Sequence, residues 1–176
     1  MFETTLSKKV KFLVGHLDPN DKQLSQLEEI ILKAPFETGT TNVKAKKTNF
    51  KFLLKEKIFW DILHKMEPEF LKYWGRPRFI VEDAWANIYD NKNHYTQPHE
   101  HHFPFCWILY LSDEGPGTYF NDFGFTIGDK RGRFVCFNGY CTHEVLKYNY
   151  KKPRLTCAFN AREFREWDKL ELKGKV

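Results

Sequence analysis

Three of the seven histidines in this chain lie within four residues, in the stretch QPHEHHF at 97–103. His99 and His101 are two residues apart, and on an extended segment the side chains at i and i+2 point to the same side. Glu100 and His102 would then point the other way. Two imidazoles on one side could bind one metal ion, and such a site needs a third ligand from another part of the chain.

The best candidate for that third ligand is His143, in the stretch CTHEV at 141–145. It begins a predicted strand directly after the turn formed by Asn138 and Gly139, and the mouth of a β-barrel could bring it beside His99. Three protein ligands leave coordination positions open, which is typical of catalytic rather than structural metal sites. The spacing alone also allows an ordinary polar loop that binds no metal.

A second chemical feature is Arg154, which enters a strand that is otherwise apolar at Leu155, Cys157 and Phe159. An unpaired buried charge is very costly, so this arginine needs an anionic partner. The partner could be an internal aspartate or glutamate. It could equally be the carboxylate of a ligand, which the guanidinium would bind in a bidentate manner with an additional hydrogen bond from the Thr156 hydroxyl.

The elements that must position these residues change in character at Arg78. Before it, apolar residues at helical spacing predict helices over 20–33 and 55–66, and Pro68 begins a further turn or helix that stops at Gly75. A short strand is predicted around 10–14. After Arg78, turn signals separate short β-type segments at 79–81, 85–89, 105–111, 118–120, 123–127, 133–137, 143–148 and 155–159.

This order of elements predicts a mainly β (α+β) protein, a sandwich or barrel with helices packed on one sheet. The chain shows no internal repeat and no linker, so we expect a single domain over 1–176. Within it, 1–77 would supply a strand and support helices, 78–162 the β core, and 163–176 a charged tail.

The composition narrows the class of protein. The chain has 17 Phe, 8 Tyr and 5 Trp, enough to fill a core and to exclude disorder. No apolar run approaches the ~20 residues of a membrane helix, and the N-terminal stretch lacks the apolar centre of a signal peptide. The four cysteines have no CxxC spacing, which predicts reduced and mostly buried thiols. We therefore expect a cytoplasmic protein with no membrane partner.

The charge distribution argues against nucleic acid as a partner. The net charge is +5, but up to Arg78 there are 15 Lys and Arg against 10 Asp and Glu, and from Phe79 onward there are 13 of each. The excess of basic residues therefore lies entirely in the first half. Proteins that bind nucleic acid usually concentrate basic charge near the site, and the half that carries the histidine pair is neutral.

The segment from Trp85 to Arg162 resembles the core of the Fe(II)/2-oxoglutarate-dependent oxygenases, and most closely the prolyl-4-hydroxylase-like branch with its small bacterial and phage relatives. The resemblance rests on an ordered set of short motifs: WANIY at 85–89, HEH at 99–101, YLS at 110–112, GTYF at 117–120, HEV at 143–145 and RLT at 154–156. It covers somewhat under half of the chain. It implies a double-stranded β-helix (jelly-roll) core with the N-terminal helices packed on one sheet.

The resemblance also implies a metal and a cosubstrate. Fe(II) would be bound by His99, His101 and His143. The cosubstrate 2-oxoglutarate would be bound by a set of residues from three strands: Arg154, Tyr110, Thr156, Tyr89 and Asn87. The implied reaction consumes O2, decarboxylates 2-oxoglutarate to succinate, and hydroxylates a C–H bond of a protein side chain, such as proline, or of a small molecule.

Position 101 departs from the pattern of this family. The usual ligand set has aspartate or glutamate there, and a histidine leaves more positive charge on the metal. Glu100 could supply the carboxylate instead if the strand ended before it, or water could take the place of His101.

Two other classes of protein remain open on the residues. Cupins also use an HxH pair with a later histidine on a β-barrel, and a three-histidine cupin dioxygenase needs no 2-oxoglutarate. That class gives Arg154 no role, and Phe105 and Cys106 stand where its glutamate would follow. In a non-catalytic module, Arg154 would pair with an internal carboxylate and the histidines need not converge.

Overall fold

The computed structural model describes residues 10–37, 42–75, 78–165 and 168, which form two antiparallel sheets and two helices. The helices are α1 (Lys22–Leu32) and α2 (Lys57–Trp74), with a short 3₁₀ turn at Leu53–Lys55 between them. The strands are β1 (Leu13–His16), β2 (Val43–Lys44), β3 (Lys46–Lys47), β4 (Phe79–Tyr89), β5 (Tyr95–His99), β6 (Phe105–Tyr110), β7 (Thr118–Phe120), β8 (Phe125–Ile127), β9 (Arg133–Phe137), β10 (His143–Val145) and β11 (Arg154–Glu163).

The chain alternates between the two sheets, and this alternation defines the architecture. The six-stranded sheet has the order β1-β9-β6-β11-β4-β3, and the five-stranded sheet has the order β2-β5-β10-β7-β8. Successive strands from β4 to β7 lie in alternate sheets, and β9, β10 and β11 alternate in the same way. The result is a double-stranded β-helix, which confirms the fold class expected from the sequence.

The two faces of the larger sheet have different neighbours. Ala86 on β4, Trp107 on β6 and Leu155 on β11 belong to one apolar cluster with the buried residues of both helices. Because neighbouring side chains of a strand point to opposite faces, Asn87, Arg154 and similar residues face the smaller sheet instead. The apolar positions that surround Arg154 in the sequence thus pack on the helices.

The helices follow from local signals. The Asp21 side chain accepts a hydrogen bond from the Gln23 backbone N–H at 2.9 Å and begins α1. Gly75 ends α2 in the left-handed conformation, with φ 66°, which glycine adopts without steric cost. Neither helix in the described ranges is long and apolar enough to cross a membrane.

The expected helix boundary at Pro68 is wrong, because α2 runs through this residue without a break. Proline removes one backbone hydrogen bond inside a helix. Pro68 lies on the exposed side, so water can satisfy the freed carbonyl, while the opposite side of α2 is held in the core through buried residues such as Met66 and Phe70.

Three further boundaries differ from the expectation. Strand β4 is continuous where two segments were predicted, and β5 was not recognised as a strand. The predicted tail at 163–176 begins inside β11, and the buried Asp168 accepts two hydrogen bonds from Arg162 at 2.8 Å. Phe164 and Arg165 are also described, and the remaining residues of that tail lie outside the described ranges.

The aromatic contacts under α2 give a test of the packing. Phe70 is 1% exposed, and its ring centroid lies 4.9 Å from that of Phe79 and 5.3 Å from that of Trp107. We expect Phe70→Ala to lower the free energy of unfolding by about 3–5 kcal/mol, because it leaves a cavity. Leu71→Ala is the control, since Leu71 is 38% exposed. Urea unfolding that finds similar losses for both variants would contradict this packing.

Candidate metal centre

The pairing of β5 with β10 brings two histidines together. The strands are antiparallel, and His143 lies directly opposite His99 in the register. Side chains of directly opposite residues are neighbours on the same face of a sheet. The two imidazole centroids are accordingly 4.2 Å apart, as the mouth of a barrel was expected to place them.

His101 lies just beyond the end of β5, and the turn before β10 positions it. Its backbone N–H donates to the Gly139 carbonyl at 2.8 Å, and the Gly139 N–H donates to the Phe103 carbonyl at 3.1 Å. A Cβ at position 139 would lie 2.6 Å from the His101 carbonyl oxygen and 2.4 Å from that of Phe103. Only glycine therefore allows this segment to approach so closely.

The three histidines form one cluster. Each offers a ring nitrogen, and these nitrogens all lie within 4.8 Å of one another. The His101 ring is 4.9 Å from that of His99 and 5.3 Å from that of His143, between centroids. This spacing lets three imidazoles contact one ion after small adjustments, since metal–nitrogen bonds are about 2 Å long.

Backbone carbonyls fix the orientation of two of the rings. The Nδ1 of His99 is 2.9 Å from the Gln97 carbonyl, and the Nδ1 of His143 is 2.9 Å from the Cys141 carbonyl. A carbonyl only accepts, so each Nδ1 must carry the hydrogen. The lone pair is then on Nε2, which is the usual arrangement of a metal-binding histidine with an outer partner.

The environment keeps these imidazoles neutral. Burial lowers the pKa of His101 to about 4, with a smaller effect of His99 in the same direction and an opposing effect of Asp83. Burial also lowers the pKa of His99, and it lowers that of His143 well below its usual value. Neutral imidazole is the form that binds metal.

Glu100 points away from the cluster. Its side chain is exposed, and Oε1 accepts a hydrogen bond from the Thr142 hydroxyl at 2.9 Å. The alternation of side chains predicted for 99–101 is therefore present. Among the described residues, the group of candidate ligand atoms consists of histidines alone.

One cavity connects the histidines with the strand that carries the arginine. Its lining includes all three histidines and four of the five residues proposed for the cosubstrate: Arg154, Thr156, Tyr89 and Asn87. Tyr110 does not line it. Instead, the Tyr110 hydroxyl donates to Thr118 at 2.8 Å, and Thr118 lines the cavity.

Arg154 has an internal partner, which the sequence left open. Its Nε donates to the two carboxylate oxygens of Asp129 at 2.9 and 3.0 Å, and both side chains are 1% exposed. Asp129 also accepts from the Gly117 backbone N–H at 2.8 Å. Burial raises the pKa of Asp129, and these two donors oppose that shift.

The arginine also lies between aromatic rings. The guanidinium carbon is 4.8 Å from the ring centroid of Tyr89 and 5.6 Å from that of Tyr110, so both rings can stabilise the cation. The Tyr89 hydroxyl bonds to Thr96 at 2.7 Å. The four N–H groups on the terminal nitrogens of Arg154 are not used by Asp129.

Three polar atoms of residues that line the cavity lack partners. Within the described ranges, the Asn87 side-chain oxygen and the indole nitrogens of Trp85 and Trp107 are buried without a hydrogen bond. A buried polar group without a partner costs free energy, so a bound molecule that formed hydrogen bonds with these atoms would be favoured. The lining of this cavity combines candidate metal ligands with polar and charged groups.

Asp129 is the residue that the sequence did not reveal as part of the site. It follows Gly128 and has the pattern of an ordinary turn residue. The sequence indicated only that a buried Arg154 needs an anionic partner, and it did not identify which carboxylate is that partner.

The comparisons with known proteins confirm the fold. No family model matches the sequence, and no curated protein has significant sequence similarity to it. Among solved structures, the viral collagen prolyl hydroxylase vCPH from Paramecium bursaria Chlorella virus-1, in its 2OG complex, matches with a TM-score of 0.63 and 17% identity, over 85% of this chain and 95% of that one.

Two bacterial structures give the same result. A prolyl-4-hydroxylase from Pseudomonas putida matches with a TM-score of 0.62 and 15% identity, over 88% of this chain and 93% of that one. HygX from Streptomyces hygroscopicus, with nickel and 2-oxoglutarate bound, matches with a TM-score of 0.65 and 12% identity, over 89% and 86%. At these identities the chain shares the fold of the 2-oxoglutarate-dependent oxygenases.

The pKa of His101 leads to a pH-dependent stability. The unfolded chain protonates this residue near 6.5 and the folded protein only near 4, so the unfolded state binds more protons between these values. The metal-free protein should therefore lose stability as the pH falls from 6.5 to 4. We expect His101→Gln to reduce that loss by roughly 1 to 3 kcal/mol, measured by urea unfolding at several pH values.

His102→Gln is the matched control for this measurement, because the neighbouring His102 side chain is exposed. A His101→Gln protein whose stability falls with pH as steeply as that of the His102→Gln protein would show that His101 is not buried as described.

The close approach at Gly139 gives a second prediction. A methyl group there must displace the His101 segment, so Gly139→Ala should weaken Zn(II) or Co(II) binding at least about tenfold while the strands remain folded. Gly128→Ala is the control, since its Cβ would meet only Arg133 at 3.8 Å. Equal metal affinities of the two variants, measured by calorimetric titration, would contradict the role of Gly139.

Proposed function

We propose that this chain is an Fe(II)- and 2-oxoglutarate-dependent oxygenase that hydroxylates a C–H bond of a protein side chain, such as proline, or of a small molecule. The observation that carries the proposal is the single cavity lined both by three converging neutral histidines and by a buried arginine. A metal and a dicarboxylate could therefore bind side by side.

The residues proposed for each task follow from this geometry. His99, His101 and His143 would hold Fe(II), which with 2-oxoglutarate and O2 would supply the oxidation and release succinate and CO2. The terminal nitrogens of Arg154 would bind the far carboxylate, with the Thr156 hydroxyl beside them. Tyr110 can assist only if its hydroxyl turns away from Thr118, to which it now donates.

The remaining cavity residues have positioning and shielding roles in this proposal. The unpartnered oxygen of Asn87 and the Tyr89 ring lie on the β4 wall of the cavity. Apolar residues such as Phe137 and Val145 line the same cavity and would keep water from the reacting atoms.

The substrate would enter from a second cavity that shares His99, His101 and Trp85 with the first. Its lining also includes Phe50 and Asp83. Asn42 and Val43, at the start of β2, also line this second cavity.

The neighbours support this proposal by what their structures contain. The vCPH structure is a 2OG complex, and HygX is described with nickel and 2-oxoglutarate and also with hygromycin B. These ligands belong to those proteins. A cytoplasmic location for this chain, expected from its composition, stays a prediction.

One observation favours a second candidate, a three-histidine metalloprotein or dioxygenase of the cupin type that uses no 2-oxoglutarate. Arg154 is already paired with Asp129, so its burial does not by itself require a ligand carboxylate. The two candidates make opposite predictions about binding of 2-oxoglutarate.

The test is anaerobic binding of Fe(II) and 2-oxoglutarate. A keto acid chelated to Fe(II) gives a weak visible charge-transfer band, which we expect for the native protein. We expect the double variant Arg154→Gln with Asp129→Asn to retain Fe(II) and to lose the band at the same 2-oxoglutarate concentration. Changing both residues avoids a buried unpaired charge.

The double variant Arg162→Gln with Asp168→Asn is the control, because Arg162 lies on the same strand but does not line the cavity, and this variant also removes both members of an ion pair. If the native protein binds Fe(II) tightly but gives no band and forms no succinate, the oxygenase proposal is wrong and the cupin-type candidate is favoured.

A further inference from the structure

The candidate metal site lacks the negatively charged carboxylate that a typical non-haem Fe(II) site has. The usual non-haem Fe(II) site combines two histidines with one carboxylate. Here the third position is His101, and Glu100 is turned away toward Thr142. Three neutral imidazoles leave both positive charges of Fe(II) without compensation from the protein.

A buried carboxylate that the proposed function does not use lies at the other end of the same site. Asp129 is 1% exposed and contacts Arg154, which lines the cavity. The backbone of Gly115 covers the pair so closely that a Cβ there would lie 2.4 Å from Asp129 Oδ2 and 2.6 Å from Arg154 Cδ. Solvent therefore screens this charge very little.

Counting formal charges shows what Asp129 does for the whole site. With Fe(II) and the dianion 2-oxoglutarate bound, the metal centre is neutral, and Arg154 with Asp129 is neutral as well. Without Asp129, a buried positive charge would remain. With both Asp129 and a carboxylate at position 101, a buried negative charge would remain.

Asp129 also acts on Arg154 before the cosubstrate binds. An unpaired buried guanidinium is strongly destabilising, and Asp129 accepts a hydrogen bond from the Nε of Arg154. When a dicarboxylate arrives, its far carboxylate must share Arg154 with Asp129 and is repelled by it. Asp129 thus stabilises the protein and lowers its affinity for the ligand.

We propose that Asp129 is the charge-balancing residue of the cosubstrate site, which offsets the missing carboxylate at position 101 and allows dicarboxylates to bind reversibly. This inference rests on the proposed function. It assigns to Asp129 the charge that position 101 does not supply, and it couples the two positions.

One variant should change stability and ligand affinity in opposite directions. Asp129→Asn should lower the melting temperature of the metal-free protein, because Arg154 loses its partner. The same variant should raise the affinity of the Mn(II)-loaded protein for 2-oxoglutarate and for succinate at least about tenfold, because a like charge is removed from a poorly screened site. Calorimetric titration and thermal unfolding measure the two effects separately.

A second variant tests the coupling to the metal centre. His101→Asp adds a negative charge beside the metal and should lower the affinity for 2-oxoglutarate about tenfold. Combined with Asp129→Asn, it should return the affinity to near the native value. Asp122→Asn, which removes an exposed charge in a neighbouring turn, should leave the affinity unchanged.

The outcomes distinguish this inference from the proposed function. If the native Mn(II)-loaded protein binds no 2-oxoglutarate, the proposed function fails and this inference falls with it. If the native protein binds but Asp129→Asn binds more weakly, Asp129 is a structural partner only, and this inference alone is overturned. If Asp129→Asn folds only when succinate is present, the proposal is supported, and if succinate fails to rescue its folding, it is overturned.

Discussion

The candidate site depends on the antiparallel pairing of β5 with β10, which places His99 directly opposite His143. Neither strand is long, and both belong to the smaller sheet, whose edges are formed by β2 and β8. The adjoining turn at Gly139 positions the third histidine, since it holds the backbone of His101 beside His99 and His143. The register of one strand pair and one close approach of backbone therefore decide whether three histidines can share an ion.

The larger sheet positions the residues at the polar end of the cavity. Alternation along β11 sends Leu155 and Cys157 toward the helices and Arg154 and Thr156 toward the smaller sheet. The helices therefore contribute to the site, because their apolar contacts with the larger sheet determine the sheet face on which Arg154 lies. Burial of a cation in this position is tolerable only with a counter-charge, and Asp129 supplies it.

Much of this arrangement could be predicted from the sequence, for identifiable reasons. Side chains at i and i+2 of an extended segment share a side, which predicted the pairing of His99 with His101, and the position of His143 after a turn predicted the third member. The ordered motifs predicted the double-stranded β-helix. The continuity of α2 through Pro68 could not be predicted, because it depends on which side of the helix faces solvent. The Arg154–Asp129 pair could not be predicted either, because 25 residues separate the partners and only tertiary packing brings them together.

We infer that three neutral imidazoles, and no carboxylate, would form the metal site of this chain. X-ray absorption spectroscopy of the Fe(II)-loaded protein under anaerobic conditions tests it most directly, since outer-shell scattering counts the imidazole rings around the iron. We expect three rings in the native protein and two in His101→Ala. A native spectrum with two rings that His101→Ala leaves unchanged would contradict it.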